Sequence, residues 1–293
     1  MTLYPNCKIN IGLRVVSKRE DGYHNLETIF YPVYGLHDVL EVTPLTASAR
    51  QSIDFRQEGI VVDCAEEDNL IVRCYRQIAA RYPQIGSVQV HFTKNIPFGA
   101  GLGGGSSDAA HMAIALNELF RLGLTKEQLV EQVKPLGADC PFFIYNTPCF
   151  AEGIGDLLTP IDMNLTGMRL VMVKPDISVS TRDAYAGLSI QPAKPAQPAK
   201  LAKPAQPVQP AKLTQSALPN DFESTVFVQY PLLAQIKQRL LDAGAVYAAM
   251  SGSGSTIYGL FQDNAESGAD TRLRMENEDF ASMIIFNDTL TQR

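Results

Sequence analysis

Apolar positions recur along this chain with two periods, and each period predicts its own kind of element. Val88, Val90 and Phe92 alternate with Gln89, His91 and Thr93, the two-residue period of a half-buried strand. Behind them Ala109, Ala110, Met112, Ala113, Leu116, Leu119 and Phe120 return at helical spacing, and Gly123 is expected to end that helix. Leu70 to Ala79 also has helical spacing, with the acidic start Asp68-Asn69 in front of it. Thr125-Lys126-Glu127-Gln128 fits a capping box, which predicts a helix running to about Lys134. Thr181 to Tyr185 opens a short helix with Ser180 or Thr181 as its cap. Pro231 suits a first helical position, and that helix runs to Ala243 with Gly244 as cap.

Strand patterns surround these helices. Ile9 to Val16 and Leu26 to Tyr34 are separated by the turn signal Asp21-Gly22, as in a hairpin or an adjacent pair. Asp38 to Thr43, Arg169 to Val173, Tyr247 to Met250, Thr256 to Phe261 and Ile284 to Phe286 read as further strands. Helices and strands mix without strict βαβ alternation, so the fold class is α+β. Gln191 to Gln215 differs in kind: it repeats Gln-Pro-Ala-Lys-like units with almost no aromatic or β-branched residue. Its prolines forbid an interior helix or sheet, which predicts a mobile, partly polyproline-II loop; a docking segment for a partner is the alternative.

Composition narrows the class. A chain of 293 residues, 45% apolar and 19% charged, can build two cored domains or one large one. A net charge of -6 argues against a general nucleic-acid binder, though not against a local basic pocket. The 5 cysteines (Cys7, Cys64, Cys74, Cys140 and Cys149) show no CxxC pair, which suits reduced thiols in a cytosol. The first residues lack the pattern of a signal peptide, and no apolar run is long enough to cross a bilayer. The expectation is a cytoplasmic protein with no membrane and no nucleic-acid partner.

The chemistry concentrates in Pro97-Phe98-Gly99-Ala100-Gly101-Leu102-Gly103-Gly104-Gly105-Ser106-Ser107, a glycine-rich loop running straight into a helix. Glycines let backbone N–H groups turn toward an anion, and a helix start adds donors and the positive end of a dipole. This is a phosphate nest. A Walker A loop would need Lys where Gly105 stands. A dinucleotide fold would need an apolar strand leading directly into the first glycine, but Thr93 to Pro97 intervenes. The HRD and DFG motifs of a protein kinase are absent.

The complete loop resembles that of the GHMP kinases (galactose, homoserine, mevalonate and phosphomevalonate kinases). Asn6-Cys7-Lys8-Ile9-Asn10-Ile11-Gly12-Leu13 resembles their first motif, and Met250-Ser251-Gly252-Ser253-Gly254-Ser255 their third. Asp21 to Leu26, Glu67 to Leu70, Leu136 to Phe143, Ala151 to Asp156 and Leu218 to Glu223 resemble one subfamily. That subfamily uses ATP to phosphorylate the 2-hydroxyl of a cytidyl-bearing methylerythritol, in the non-mevalonate route to isoprenoid precursors. The resemblance implies a two-domain fold with an ATP-binding N-terminal half (1–150), a ferredoxin-like C-terminal half (151–293) and an active site in the cleft.

Phosphoryl transfer needs a group to take the hydroxyl proton and charge to steady the moving phosphoryl. Asp139, between Gly137-Ala138 and Pro141-Phe142-Phe143-Ile144, is the candidate base; a helix-capping or turn aspartate is the bland alternative. The resemblance places Lys8 beside it as charge partner, where an exposed edge-strand lysine is the alternative. Asn10, on the same strand face as Lys8, would bond substrate. Gly101 to Ser107 would wrap the ATP phosphates, with Ser106 or Ser107 reaching Mg²⁺, and Asn69 would line the adenine pocket or cap a helix. Asp108 reads as a first-turn acid favoured by the helix dipole. The resemblance sets Tyr23 and Tyr185 on either side of a cytosine and His24 at its polar edge, and Gly252 and Ser253 near substrate phosphates. Rival readings are a mevalonate- or homoserine-type kinase, a non-catalytic nucleotide-binding module and a nicotinamide dehydrogenase. The metal ligands, and a monomer as against a homodimer, stay open.

Overall fold

In the computed structural model, which describes residues 1–45, 51–62, 64–188, 213, 218–262 and 278–291, the two apolar periods separate into strands and helices as follows. The chain runs β1 (Thr2–Leu3), β2 (Asn6–Lys18), β3 (His24–His37), β4 (Val39–Pro44), β5 (Ile53–Gly59), α1 (Leu70–Arg81), β6 (Val88–Lys94) and α2 (Gly104–Leu119). It continues through α3 (Lys126–Val133), α4 (Cys140–Tyr145), β7 (Cys149–Glu152), β8 (Leu157–Pro160), β9 (Met168–Val173) and α5 (Thr181–Ala186). The last elements are α6 (Glu223–Gln229), α7 (Pro231–Asp242), β10 (Tyr247–Met250), β11 (Ile257–Gln262), α8 (Glu278–Ala281) and β12 (Ile284–Thr289). The segment expected to be a mobile loop, 191–215, lies outside the described residues except for Leu213, which is buried.

The chain divides into two compact units. The first comprises Met1–Lys8, Leu36–Phe98 and Gly103–Thr147. Its sheet has the order β1-β4-β6-β5, with β4 antiparallel and β5 parallel to β6. The alternation on β6 works as its period requires: Val88, Val90 and Phe92 are buried while His91 is exposed. Helix α2 packs against α1, α3, α4 and β4, and bears a buried run of Ala109, Ala110, Met112, Ala113 and Leu116.

Caps set the helix ends. Asn69 accepts the Ile71 N–H ahead of α1, and Thr125 with Gln128 forms the capping box of α3. Helix α2 stops earlier than its sequence suggests. Arg121, with φ 52°, takes the left-handed position, Leu122 N–H bonds Asn117 C=O and Arg121 N–H bonds Glu118 C=O. This Schellman exit closes the helix before Gly123 is reached.

The second unit comprises Ile9–Gly35, Gly99–Leu102 and Pro148–Arg293. It holds a sheet of order β2-β3-β7-β8 and a sheet of order β10-β11-β9-β12. Helix α7 packs on β10 and β11, burying Leu233, Ile236 and Leu240 in a core with Val171, Met250 and Phe261. β10 and β11 are an antiparallel pair joined through Ser251–Thr256, so the second glycine loop is a hairpin turn.

Candidate active site

In the first unit, the phosphate loop ends on the start of α2. Gly103 is the N-cap residue, at φ 71° and ψ 15°, and supplies no side-chain cap. The first intrahelical bond is Ser107 N–H to Gly103 C=O at 2.9 Å, so the N–H groups of Gly104, Gly105 and Ser106 have no intrahelical partner. These amides at the positive end of a 16-residue helix form an anion-binding start. Side chains there would collide with neighbours. A Cβ on Gly103 would lie 2.9 Å from Phe143 Cζ and 3.2 Å from Lys8 Cε, and one on Gly104 would lie 2.9 Å from Lys94 Nζ.

Lys8 is buried on β2, and its Nζ stands 3.6 Å from Asp139 Oδ2. Asp139 occupies the N-cap position of α4 but makes no side-chain cap bond, so it does not serve as a helix-capping aspartate. Its side chain is 31% exposed, against 4% for Lys8. Burial holds the Lys8 ammonium below the usual lysine range, and Asp139 works against that shift. Burial pushes the neighbouring Cys140 thiol up to about 12, so it stays protonated beside Asp139. Asn6 and Asn146 exchange amide hydrogen bonds of 3.2 and 2.8 Å, tying the start of β2 to the end of α4. That clamp brings Lys8 and Asp139 together, and sequence reasoning missed it because the two asparagines are 140 residues apart.

The hydroxyls of the loop divide. Ser107 is fully buried and its carbonyl accepts from His111 Nδ1 at 2.8 Å, while Ser106 is half-buried. Asn69 both caps α1 and lines a cavity of about 330 Å³ with Phe55, Gly59, Val61, Val62 and Cys64. Pro97 is half-buried and Phe98 is 67% exposed. Asp108 departs from the first-turn reading: its carboxylate is buried and bonds Lys94 Nζ at 2.9 Å. Among the described residues, no group of three His, Cys, Asp or Glu side chains could hold a metal ion.

In the second unit, the other end of the phosphate loop meets the hairpin. Ser251 Oγ donates to Gly101 C=O at 2.9 Å and accepts the Asn10 N–H at 3.3 Å. Thr256 N–H bonds Ala100 C=O at 3.3 Å. Gly101, at φ 75°, has no room for a side chain, since a Cβ would lie 2.0 Å from Ser251 O. Asn10 is buried, donates from its amide to Thr28 Oγ1 and accepts the Tyr258 hydroxyl at its backbone carbonyl. Asn220 holds the hairpin from the other side through Met250 C=O and Gly252 C=O, both at 2.8 Å. Ser253 Oγ meets Thr181 Oγ1 at 3.1 Å. Thus Asn10, Gly101 and Ser251, one from each of the three motifs, share one hydrogen-bonded web.

The aromatic residues stand differently from the expected sandwich. His24 lies face to face on Tyr185, with ring centroids 4.5 Å apart and planes 9° from parallel. Phe222 packs edge-on to Tyr185, and Tyr23 is 61% exposed. The imidazole therefore covers a face of Tyr185 rather than flanking a space beside it.

A phosphate nest, a lysine–aspartate pair and a mixed helix–strand fold define a class, and the comparisons agree with it. The family models described as "GHMP kinases N terminal domain" and "GHMP kinases C terminal" match residues 69–147 and 209–272. A crystal structure of homoserine kinase from Cytophaga hutchinsonii shares the fold, with a TM-score of 0.67 at 16% identity over 98% of this chain and 95% of that one. Relatives named 4-diphosphocytidyl-2-C-methyl-D-erythritol kinase are more similar. One from Bacteroides fragilis (strain YCH46) is 48% identical, covering 89% of this chain and 92% of the relative. One from Solidesulfovibrio magneticus is 40% identical, over 89% and 88%. A crystal structure of 4-(cytidine 5'-diphospho)-2C-methyl-D-erythritol kinase superposes with a TM-score of 0.75 at 30% identity, covering all of both chains. The chain belongs to the GHMP kinase family and, within it, to the 4-diphosphocytidyl-2-C-methyl-D-erythritol kinases.

Proposed function

We propose that the chain transfers the γ-phosphoryl group of ATP to the 2-hydroxyl of 4-diphosphocytidyl-2-C-methyl-D-erythritol, on the way to isoprenoid precursors. Asp139 takes the hydroxyl proton. The freed oxygen bonds to the γ-phosphorus, and the bridging oxygen leaves with ADP. Lys8 stands beside Asp139 and offsets charge on the transferring group. The amides of Gly104 to Ser106 hold phosphates, Asn69 and its cavity take the adenine, and the N-terminal half is the nucleotide half. Tyr23, His24 and Tyr185 recognise the cytidyl group, with Asn10, Gly252 and Ser253 serving the rest of the substrate. Mg²⁺, when bound, neutralises phosphate charge; the half-buried Ser106 hydroxyl suits it, since Mg²⁺ is usually held through substrate phosphates with few protein ligands. The reading carries a cytoplasmic location and a monomer or homodimer, with no nucleic acid involved; no described helix is long and apolar enough to cross a membrane.

The observation that supports this most is the 3.6 Å approach of Lys8 to Asp139, with the lysine stem packed on Gly103 at the head of α2. The test is ADP release from purified protein given ATP and each alcohol. Asp139→Asn should still bind ATP while turnover falls by about 10²–10⁴-fold. Unchanged turnover would remove Asp139 from the mechanism. Turnover of mevalonate or homoserine but not the cytidyl substrate would overturn the substrate assignment.

A further inference from the structure

Beneath the phosphate loop lies a second buried lysine that the mechanism above does not use. Lys94 ends β6, its side chain is 3% exposed, and its ammonium donates to Asp38 Oδ2 at 2.5 Å and to Asp108 Oδ2 at 2.9 Å. Asp38 is itself locked: its Oδ1 accepts the N–H groups of Asn95 at 2.6 Å and Ile96 at 2.8 Å. Asp108 belongs to α2, one turn past Gly104. The ammonium also sits under Gly104, where a Cβ would come within 2.9 Å of Nζ. One cation thus joins the segment after β3, the end of β6 and the first turns of α2.

The formal charges of this cluster do not balance. Two carboxylates face one ammonium, and Asp108 Oδ1 is buried with no hydrogen-bond partner. A surplus negative charge here would oppose phosphate binding at the adjacent helix start. Burial raises the Asp108 carboxyl well above the usual range, outweighing Lys94, and Asp38 adds to the rise. Burial also disfavours charge on Lys94, but negative charge in the cluster outweighs it and holds the ammonium above its ordinary value. A proton on Asp108 makes the cluster neutral and leaves Asp108 Oδ2 free to accept from Lys94.

We propose that Lys94 is a positioning residue for the phosphate-binding start of α2, acting through Asp108. The inference rests on the assignment of that helix start to ATP. Asp108→Leu cuts the tether but leaves a balanced Lys94–Asp38 pair, so the fold is preserved. Asp108→Asn keeps an acceptor and matches the charge of the protonated carboxyl.

The measurements are ATP affinity by calorimetry and hydrogen exchange of the Gly104–Ser107 amides, on the full chain. Asp108→Leu should weaken ATP binding by about tenfold or more, the loss of a hydrogen bond to a charged group, and speed exchange in that first turn. Asp108→Asn should restore both to within about twofold. Unchanged ATP affinity and exchange in a folded Asp108→Leu protein would overturn the proposal. So would an Asp108→Asn protein as impaired as Asp108→Leu. ATP binding by the unmodified chain without turnover of the cytidyl substrate would defeat the kinase reading while these measurements still decide the tether. No ATP binding by the unmodified chain would defeat both.

Discussion

Gly103→Ala tests whether the charge-carrying lysine lies against the phosphate loop. Gly103 has φ 71°, and an L-residue there costs roughly 1–2 kcal/mol. The new methyl would also stand 2.9 Å from Phe143 Cζ and 3.2 Å from Lys8 Cε, where carbon atoms prefer about 3.5–4.0 Å. Phe143 is fully buried in α4, so its ring has little room to retreat. Overpacking of this kind costs about 1–3 kcal/mol, which brings the total to roughly 2–5 kcal/mol.

Gly123→Ala is the control. That glycine has φ 69° but nothing within 4 Å of a Cβ, so only the backbone cost of about 1–2 kcal/mol applies. Urea unfolding of both variants separates strain from collision. Relief of the collision moves Lys8 by a few tenths of an ångström, and kcat should fall about tenfold in Gly103→Ala only, since positional errors near 1 Å cost about 10²-fold. Equal destabilisation of the two variants, with kcat intact in both, would refute the placement of Lys8 against Gly103.

Three further outcomes follow from the same geometry. Burial lowers the Lys8 pKa from 10.5, so the charged form is the one folding disfavours; that penalty is full below the folded pKa and fades as pH rises toward the unfolded one. The pH profile of kcat/KM should therefore lose activity on an alkaline limb that begins below the ordinary lysine range, and Lys8→Met should abolish the limb along with most turnover; a limb retained in Lys8→Met would belong to another group. Ser251→Ala removes the bond from the buried Asn10 N–H and the bond to Gly101, a loss of about 1–3 kcal/mol in urea melts that Ser251→Thr should largely restore; no loss would mean the web carries no stability. Tyr185→Leu removes the ring that His24 stacks on and should raise KM for the cytidyl substrate by about tenfold, as aromatic stacking is worth on the order of 1–3 kcal/mol, and leave KM for ATP alone; a change confined to ATP would remove Tyr185 from base recognition.

Local signals in the chain were legible and distant ones were not. Asn69 before a helical run, Thr125 three residues ahead of Gln128, and glycines running into α2 all announce structure within one turn, and each sits where its chemistry puts it. The paired strands β7 and β8 escaped notice because four residues each are too few to show a period. Arg121 ends α2 in a conformation normally left to glycine, so Gly123 drew the boundary too late. Asp108 was misread for a different reason. Its partner Lys94 is 14 residues away, and Asp38 is a further 56 residues from Lys94, so nothing near Asp108 distinguishes a buried ion pair from an exposed first-turn acid. His24 likewise gives no local sign that it will cover Tyr185.

The two lysines under the loop show how burial sorts residues of one type into different tasks. Lys8 packs against Gly103 and Lys94 against Gly104, and both ammonium groups face carboxylates. The partners differ in their access to water. Asp38 and Asp108 have side chains 0% and 6% exposed, and their oxygens are committed to Lys94, to backbone amides or to a buried site. Such a cluster is closed to a substrate's protons, and its bonds tie the segment after β3, the end of β6 and α2 together. Asp139 is 31% exposed and does not cap its helix, and at 3.6 Å it is looser on Lys8 than either carboxylate is on Lys94. A carboxylate beside an ammonium, yet open on one side, is what a general base requires. The same contrast makes the looser, partly exposed pair, and not the tight buried one, the candidate for the base in this chain.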